Sequence, residues 1–266
     1  MQVVKQYPDG LFCWLDLTTT DPEAAKAFYG ALFGWEFEDT PTDTGTMYTM
    51  CRIEGYDVAG LSGMSPDMIA QGMPPVWVSY VKHDDVDAIA ARVSEAGGIL
   101  MFPPMDAMSA GRMTLVQDPT GAAFGVWQPK EHIGAQLVNS PNTLIWNELQ
   151  TRDKAAAKAF YTQVFDWGYA EDANGYGMFK VGERVQAGMM QMDESWDANI
   201  PANWAVYFMV ADVAAAAARV SELGGNILVP LMSAGEMGKF AVAQDPQGGV
   251  FTIMQFDGPV DPPPGY

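Results

Sequence analysis

The sequence is poor in the residues from which most metal centres and nucleophilic triads are built. Its 266 residues include two histidines, His83 and His132, and two cysteines, Cys13 and Cys51. Neither histidine belongs to a pattern from which a Ser-His-Asp set can be assembled. Because the N-terminus shows no signal peptide, the two cysteines are predicted to be reduced, packed thiols in a cytoplasmic protein.

Basic residues and long apolar runs are also scarce. The chain has 14 Lys and Arg against 33 Asp and Glu, a net charge of −19, with 48% hydrophobic and 18% charged residues. This composition is typical of an acidic globular protein and disfavours binding to nucleic acid or to an anionic membrane. No apolar run reaches membrane-spanning length. We therefore expect a small-molecule partner, no nucleic acid, no membrane, and a monomer or homodimer.

The most informative feature that is present is a tandem repeat. Residues 12–35, FCWLDLTTTDPEAAKAFYGALFGW, return as residues 144–167, LIWNELQTRDKAAAKAFYTQVFDW, at a separation of 132. Residues 76–98, VWVSYVKHDDVDAIAARVSEAGG, return from Trp204 onward as WAVYFMVADVAAAAARVSELGG, with Trp77 matched to Trp204 at a separation of 127. Repeats of this kind predict two homologous halves. The turns before the first helix of each half contain no glycine, which disfavours a phosphate-binding loop.

Each repeated unit predicts a strand followed by a helix. Leu15 and Leu17 alternate with polar or aromatic residues, and this period of two is typical of a strand with two different faces. Thr20 or Asp21 is the expected helix N-cap. Apolar residues then recur at helical spacing and are expected to pack in the core. They are Ala25, Phe28, Tyr29, Leu32 and Phe33 in the first half, and Ala157, Phe160, Tyr161, Val164 and Phe165 in the second.

The whole chain reads as β-α-β-β-β four times. Asp84 or Asp85 is the expected cap of the second helix, residues 62–75 are expected to be a loop, and residues 118–121 and 245–248 are predicted turns. Further strands are predicted at 47–53, 57–61, 99–102, 112–117 and 122–127. We predict a first domain at 8–129, a linker at 130–142, a second domain at 143–256 and a mobile tail at 257–266.

Four motifs make the chain resemble the vicinal oxygen chelate superfamily, the group of glyoxalases, bleomycin-resistance proteins and extradiol dioxygenases. They are DPEAAKAFYGALFGW and DPTGAAFGVW in the first half, and DKAAAKAFYTQVFDW and DPQGGVFTIM in the second. The resemblance covers about residues 10 to 256. It implies an α+β fold of four paired βαβββ modules, each half a curved, half-open mixed β-sheet barrel with helices outside. The chain is also similar to bacterial tandem proteins labelled glyoxalases or hydroxylases, a label that leaves activity open.

The resemblance also implies where a metal ion would be held. Metal-binding members place ligands on the first, fifth and last strands of the paired modules. Together these strands supply the roughly three protein ligands that a catalytic divalent ion needs. The corresponding positions here carry no His or acidic side chain, so we expect no metal and rank a metal-dependent glyoxalase or dioxygenase lowest. Those positions hold Trp14, Val78 and Gly125 in the first half, and Trp146, Ala205 and Thr252 in the second.

Strand alternation directs one carboxylate and one phenol into each predicted cleft. Asp16 and Tyr80 face inward in the first half, and Glu148 and Tyr207 in the second. Burial of an unpaired carboxylate is costly. It either pairs with a basic residue or acts as a general base with a raised pKa. The basic candidates are Lys82 or Arg112 in the first half, and Arg184 or Lys239 in the second.

The remaining cleft residues are mostly aromatic or apolar, which suits a planar aromatic ligand. The predicted function is metal-independent binding of such a molecule. The alternative is an enzyme, either metal-independent or cofactor-assisted: a hydroxylase, lyase or isomerase with Asp16 or Glu148 as base and Tyr80 or Tyr207 as acid. Binding requires no cofactor, although the cleft is compatible with a flavin-type cofactor. A further alternative for the whole protein is a purely structural interaction module. The predicted ligand-binding residues are Trp14, Trp77, Met113, Trp127, Trp146, Trp204, Phe240 and Met254.

Overall fold

The computed structural model describes residues 2–43, 45–260, 262 and 264. In chain order, the first half consists of β1 (Phe12–Thr19), α1 (Pro22–Phe33), β2 (Glu36–Pro41), β3 (Met47–Ile53), β4 (Tyr56–Gly63), α2 (Pro66–Ala70), β5 (Val76–Lys82), α3 (Val86–Glu95), β6 (Ile99–Ala107), β7 (Gly111–Gln117) and β8 (Ala123–Pro129). The second consists of β9 (Leu144–Thr151), α4 (Lys154–Phe165), β10 (Gly168–Glu171), β11 (Gly177–Val181), β12 (Arg184–Gln191), β13 (Asn203–Met209), α5 (Val213–Glu222), β14 (Asn226–Ser233), a short 3₁₀ turn (Gly235–Met237), β15 (Gly238–Gln244) and β16 (Val250–Phe256).

Each half forms one eight-stranded mixed sheet. The strand orders are β2-β3-β4-β1-β5-β8-β7-β6 and β10-β11-β12-β9-β13-β16-β15-β14. In each sheet the central pair is antiparallel, β1 with β5 and β9 with β13. The flanking pairs are parallel, so a long connection containing a helix joins them. The predicted α+β fold of four modules in two half-open curved sheets is confirmed.

The helix starts follow the capping chemistry of the sequence. The carboxylate of Asp21 accepts a hydrogen bond from the Ala24 amide at 3.0 Å, and Asp85 caps α3 through Ala88 at 2.9 Å. Asp21 and Asp85 are therefore the caps, rather than their neighbours Thr20 and Asp84. The predicted loop at 62–75 contains the short helix α2. Strand β2 is absent from the sequence-based prediction because its residues, EFEDTP, are almost all polar.

The helix-covered faces of the two sheets pack against each other. Phe33 on α1 lies 5.1 Å from Phe208 on β13, between ring centroids, and Ser79 on β5 donates a hydrogen bond to Asn147 on β9 at 2.5 Å. Two apolar clusters, which we together call the shared core, each contain residues of both halves. The division into domains 8–129 and 143–256 stays a prediction, because this shared core couples the two sheets.

The indoles of Trp77 and Trp204 lie in this shared core. Trp77 donates to the Tyr29 hydroxyl at 3.1 Å, and Trp204 donates to the Tyr161 hydroxyl at 2.8 Å. Both residues were predicted to contact a ligand, but they point to the opposite face of their strands from Tyr80 and Tyr207. They precede Tyr80 and Tyr207 by an odd number of residues, and side chains at odd spacing in a strand lie on opposite faces.

Parts of the predicted linker and tail contact the rest of the structure. In the predicted linker, the Ala135 amide donates to the Cys13 carbonyl at 2.7 Å, and Ala135 and Leu137 are fully buried. In the predicted mobile tail, Arg184 donates to the Pro262 carbonyl at 2.9 Å, while 261, 263, 265 and 266 lie outside the described residues. Across the described part of the chain, every helix is too short or too polar to span a membrane.

Candidate functional site

The concave face of each sheet is set by the alternation of its central strands. On β1, Leu15 and Leu17 are fully buried on one face, and strand alternation places Trp14 and Asp16 on the other, concave face. Strand pairing places Tyr80 beside Trp14 on this face. We call this concave face of the first sheet the first cleft. The second cleft is the matching face of the second sheet, with Trp146, Glu148, Tyr207 and Met254 in the equivalent positions.

The first cleft contains a chain of hydrogen bonds that ends on a carboxylate. The Trp14 indole donates to the Tyr48 hydroxyl at 2.9 Å, and that hydroxyl donates to Asp16 Oδ2 at 3.2 Å. Tyr80 donates to the same carboxylate from the other side, 3.3 Å from Oδ1 and 3.2 Å from Oδ2. The carboxylate therefore has two phenol donors.

The second cleft repeats this arrangement with glutamate in place of aspartate. The Trp146 indole donates to the Tyr176 hydroxyl at 3.1 Å, which donates to Glu148 Oε2 at 2.7 Å. Tyr207 donates to Glu148 Oε1 at 2.9 Å, and the amide of Gln150 donates to the same oxygen at 3.2 Å. Both halves have thus kept a Trp–Tyr–carboxylate–Tyr network.

Glycines make room for the two tyrosines that the sequence did not reveal. A Cβ placed on Gly60 would overlap the hydroxyl of Tyr48, and one placed on Gly188 would overlap that of Tyr176. Gly60 pairs with Asp16, and Gly188 with Glu148, so each glycine lies beside its carboxylate. A signal was available: the glycines and the tyrosines recur at the same separation of 128 residues.

Burial controls the protonation of these groups. It raises the pKa of Asp16 to about 6, against hydrogen bonds from Tyr80 and Tyr48 that lower it. Burial also raises the pKa of Tyr80 and of Tyr207, and the neighbouring carboxylate raises each further. The phenols therefore stay protonated and act as donors, while Asp16 changes its charge close to neutral pH.

The basic residues proposed as ion-pair partners are bound elsewhere or exposed. Lys82 pairs with Asp9 at 2.7 Å and with Asp84 at 2.6 Å, and Arg112 pairs with Asp87 at 2.8 Å. In the second half, Lys239 is exposed and Arg184 binds a backbone carbonyl in the tail. The alternative that cleft carboxylates are neutralised by these cations therefore does not hold.

The His132 side chain lies against the indoles of the first cleft. From its position in the predicted linker, it was expected to lie outside the site. Its ring is perpendicular to Trp14 at a centroid distance of 4.4 Å, and 5.8 Å from the ring of Trp127. Trp127 donates its indole hydrogen to the His132 carbonyl at 2.9 Å. The His132 side chain is 17% exposed, and its Nε2 is buried without a hydrogen-bond partner. Burial lowers the pKa of His132, although Asp57 opposes this shift.

Apolar side chains extend each cleft towards the outer edge of its sheet. In the first half, strand pairing aligns Trp127 with Met113 and Met105. In the second half, it aligns Met254 with Phe240, whose ring lies 6.3 Å from Tyr207. The structure thus brings together most of the predicted site residues: Trp14, Asp16, Tyr80, Met113 and Trp127 in the first cleft, and Trp146, Glu148, Tyr207, Phe240 and Met254 in the second.

Two surface cavities lie outside these clefts. One, of about 330 Å³, is lined by the N-terminal segment, by Asp57 on β4 and by linker residues that include Glu131 and His132. The other, of about 270 Å³, lies beside α1 and is lined by Pro22, Lys26 and other residues. His132 therefore contacts the indoles of the first cleft and also borders the larger cavity.

Comparisons with known proteins agree with the fold. The model of the Glyoxalase/Bleomycin resistance protein/Dioxygenase superfamily matches residues 12–126 and 143–253. "Putative glyoxylase CFP32" of Mycobacterium tuberculosis is 42% identical over 94% of this chain and 96% of its own length. "Anthracycline biosynthesis protein DnrV" of Streptomyces peucetius is 31% identical, with 94% of each chain covered. The Mn(II)-bound glyoxalase of Novosphingobium aromaticivorans has a similar fold, with a TM-score of 0.64 at 16% identity over 96% of this chain and 85% of that chain.

The clefts of this chain do not fit a metal of the kind bound by that glyoxalase. Within residues 2–43, 45–260, 262 and 264, no group of three or more His, Cys, Asp or Glu side chains is arranged to hold an ion. Each cleft offers one carboxylate, and its neighbours are phenols and an indole. Such a donor set is unsuited to a divalent catalytic ion, which needs about three ligands.

Proposed function

The chain belongs to the Glyoxalase/Bleomycin resistance protein/Dioxygenase superfamily, and we propose that it binds a planar aromatic small molecule bearing an acidic hydroxyl group, without a metal ion. The observation that carries the proposal is the network conserved between the two halves: an indole, two phenols and a buried carboxylate on one concave face. A flat ring fits beside the indole, and its hydroxyl finds an acceptor in the carboxylate.

The chemistry of the network favours a ligand that donates a hydrogen bond. The phenols of Tyr80 and Tyr207 already donate to Asp16 and Glu148, and the raised pKa values of both tyrosines keep them protonated. A carboxylate has lone pairs for about four hydrogen bonds, so it can accept another from a phenolic or enolic ligand. A ligand that only accepts would meet the carboxylate lone pairs and be disfavoured.

The name of one relative agrees with this ligand class. DnrV is named for anthracycline biosynthesis. Anthracyclines, as a class of compounds, contain a planar polycyclic quinone with phenolic hydroxyls. Because its sequence aligns over 94% of this chain, the two proteins share both halves. We therefore take hydroxylated anthraquinones as the first ligands to test.

Tryptophan fluorescence tests the binding proposal directly. The protein is titrated with alizarin, a dihydroxyanthraquinone, and in parallel with unsubstituted anthraquinone. We expect saturable quenching by alizarin, weaker binding of anthraquinone, and reduced alizarin affinity when Asp16→Asn and Glu148→Gln are combined. Equal affinity for both compounds would contradict the role of the carboxylates, and the absence of saturable binding to either would contradict the proposal.

A second candidate function is proton transfer by the same groups. The observation that favours it is the pKa of Asp16, which at about 6 lies near the range in which a general base is effective. This role requires that the substrate enter the first cleft. A carboxylate would take a proton from an activated C–H, while Tyr80 or Tyr207 donates to the oxygen that becomes an enol. This makes an isomerase the simplest enzyme, because a hydroxylase needs an oxidant and a cofactor such as a flavin in addition.

Anthrone offers a probe for this enzyme. Its methylene group is acidic, and base-catalysed conversion to anthrol exchanges the methylene hydrogens with solvent. Deuterium incorporation in D₂O, followed by proton NMR, should exceed the buffer rate in the wild type and fall to that rate with Asp16→Asn and Glu148→Gln combined. A binder without catalytic activity would leave the exchange at the buffer rate in every variant.

A further inference from the structure

We propose that ligand binding is confined to the second cleft, because the His132 side chain fills the first cleft as an internal plug. The inference rests on the proposed function and assigns it to one half of the duplicated chain. It also names the ligand class more closely: a fused polycyclic molecule with its hydroxyl at Glu148 and its apolar end on a row of three methionines and one phenylalanine.

The first observation is the position of His132. Its imidazole lies 4.4 Å from Trp14, the ring beside which a ligand is expected, and also contacts Trp127. As a result Trp14 is only 3% exposed, whereas its counterpart Trp146 is partly exposed. At the separation of 127 that relates the last strands, the counterpart of His132 is Pro259, which is exposed. The second cleft thus has no equivalent imidazole.

The floors of the two clefts differ as well. The ring of Tyr80 lies directly over Gly125, where a Cβ would overlap it. In the second half the equivalent residue is Thr252, paired with Tyr207 in the same register, and its side chain occupies that space. Trp127 lies over Gly111 in the same way. The two floors therefore differ in shape, with aromatic rings lying against glycines in the first cleft and a threonine side chain beside Tyr207 in the second.

A row of apolar side chains crosses the second cleft on neighbouring strands. Strand pairing aligns Met209, Met254, Phe240 and Met232 across β13, β16, β15 and β14. Ala205, which pairs with Glu148, precedes Met209 by four residues on β13, so the backbone of the row lies about 13 Å along the strand from the backbone of Glu148. Methionine side chains adapt to varied apolar shapes. An elongated, fused ring system matches this distance better than a single ring.

The first cleft has a weaker version of this row. Its members on the same face are Lys82, Trp127, Met113 and Met105, and Lys82 is committed to Asp9 and Asp84. The duplication therefore supplies a matched pair of positions, Met232 and Met105, which are 50% and 49% exposed. Substitution of either residue by lysine places a charge at the outer end of one cleft without disturbing the core.

Isothermal titration with alizarin tests the inference. The wild type should bind one equivalent. Met232→Lys should weaken binding about tenfold or more, equivalent to about 1.4 kcal/mol, whereas Met105→Lys should leave the affinity unchanged. His132→Ala should open the first cleft and raise the stoichiometry to two, whereas His132→Phe retains a ring there and should stay at one. Met105→Lys in the His132→Ala background should weaken only the second equivalent.

The outcomes separate this inference from the proposed function. Two equivalents in the wild type, or loss of affinity in Met105→Lys but not in Met232→Lys, would overturn the assignment to the second cleft while leaving aromatic binding intact. A stoichiometry of one in a folded His132→Ala variant would overturn the plug. No binding of alizarin by any variant, including His132→Ala, would reject the proposed function and the inference together.

Discussion

Tyr29 on the first helix donates its hydroxyl hydrogen to Asp245 in the last turn of the second half, at 2.9 Å and 216 residues further along the chain. The mirror contact joins Tyr161 to Asp118, also at 2.9 Å. The two aspartates belong to the DPxG turns, where their other carboxylate oxygens hold the turn amides. The sequence predicted these segments only as local turns. In the structure, the aspartate of each turn also accepts a hydrogen bond from the other half of the chain.

These two bonds predict additive effects on stability. Tyr29→Phe removes the hydroxyl and leaves Asp245 and Trp77 each without one buried hydrogen-bond partner, and Tyr161→Phe does the same to Asp118 and Trp204. We expect each variant to lose about 1 to 3 kcal/mol of unfolding free energy, measured by urea denaturation. The double variant should lose about the sum. A loss below about 0.5 kcal/mol in either single variant would contradict this role.

The glycines beneath the cleft tyrosines predict a contrast between the halves. Gly188→Ala displaces the Tyr176 hydroxyl from Glu148 and should lower alizarin affinity by about tenfold. Gly60→Ala displaces Tyr48 in the plugged first cleft and should leave the affinity unchanged. Both variants should lose about 1 to 3 kcal/mol of stability from overpacking, so circular dichroism and denaturation serve as controls. Equal loss of affinity in both would mean that both clefts bind.

The raised pKa of Asp16 predicts the sign of a pH effect on stability. Since folding favours the protonated carboxyl, its stabilising contribution is present at low pH and is lost as the pH rises through about 6. Asp16→Asn stays neutral and escapes this loss. Relative to the wild type, the variant should therefore gain about 1.4 kcal/mol between pH 5 and pH 8. Denaturation curves at both pH values measure it, and a difference that does not change with pH would show an ordinary pKa.

The plug predicts a change in that same pKa. His132→Ala should admit water to the first cleft and lower the pKa of Asp16 towards its ordinary value of about 4, because desolvation is the main cause of the shift. His132→Phe should leave the titration near 6. Carbon-13 NMR of the aspartate carboxyl groups follows this midpoint. An unchanged midpoint in His132→Ala would mean that His132 does not keep water from the cleft.

Much of the architecture could be read from the chain because its signals are local. Alternation around Leu15 and Leu17 identified the strand faces, and Asp21 and Asp85 were among the expected caps because capping joins atoms three residues apart. Asp16 and Tyr80 were placed on one face by the same alternation, and the structure brings them within hydrogen-bond distance. The polar strand β2 escaped prediction because its position at the edge of a sheet is imposed by its neighbour β3.

The sequence by itself determined the duplication, the order of the modules and the carboxylate in each cleft, because repeats and strand periodicity are properties of neighbouring residues. Only the tertiary structure decided what surrounds those carboxylates. In the structure, Trp77 and Trp204 lie in the shared core rather than in the clefts. Tyr48 and Tyr176 donate hydrogen bonds to the cleft carboxylates, and His132 of the linker contacts Trp14. Each of these contacts joins residues more than twenty-five positions apart, and such pairings depend on how the sheets curve and pack rather than on any local pattern.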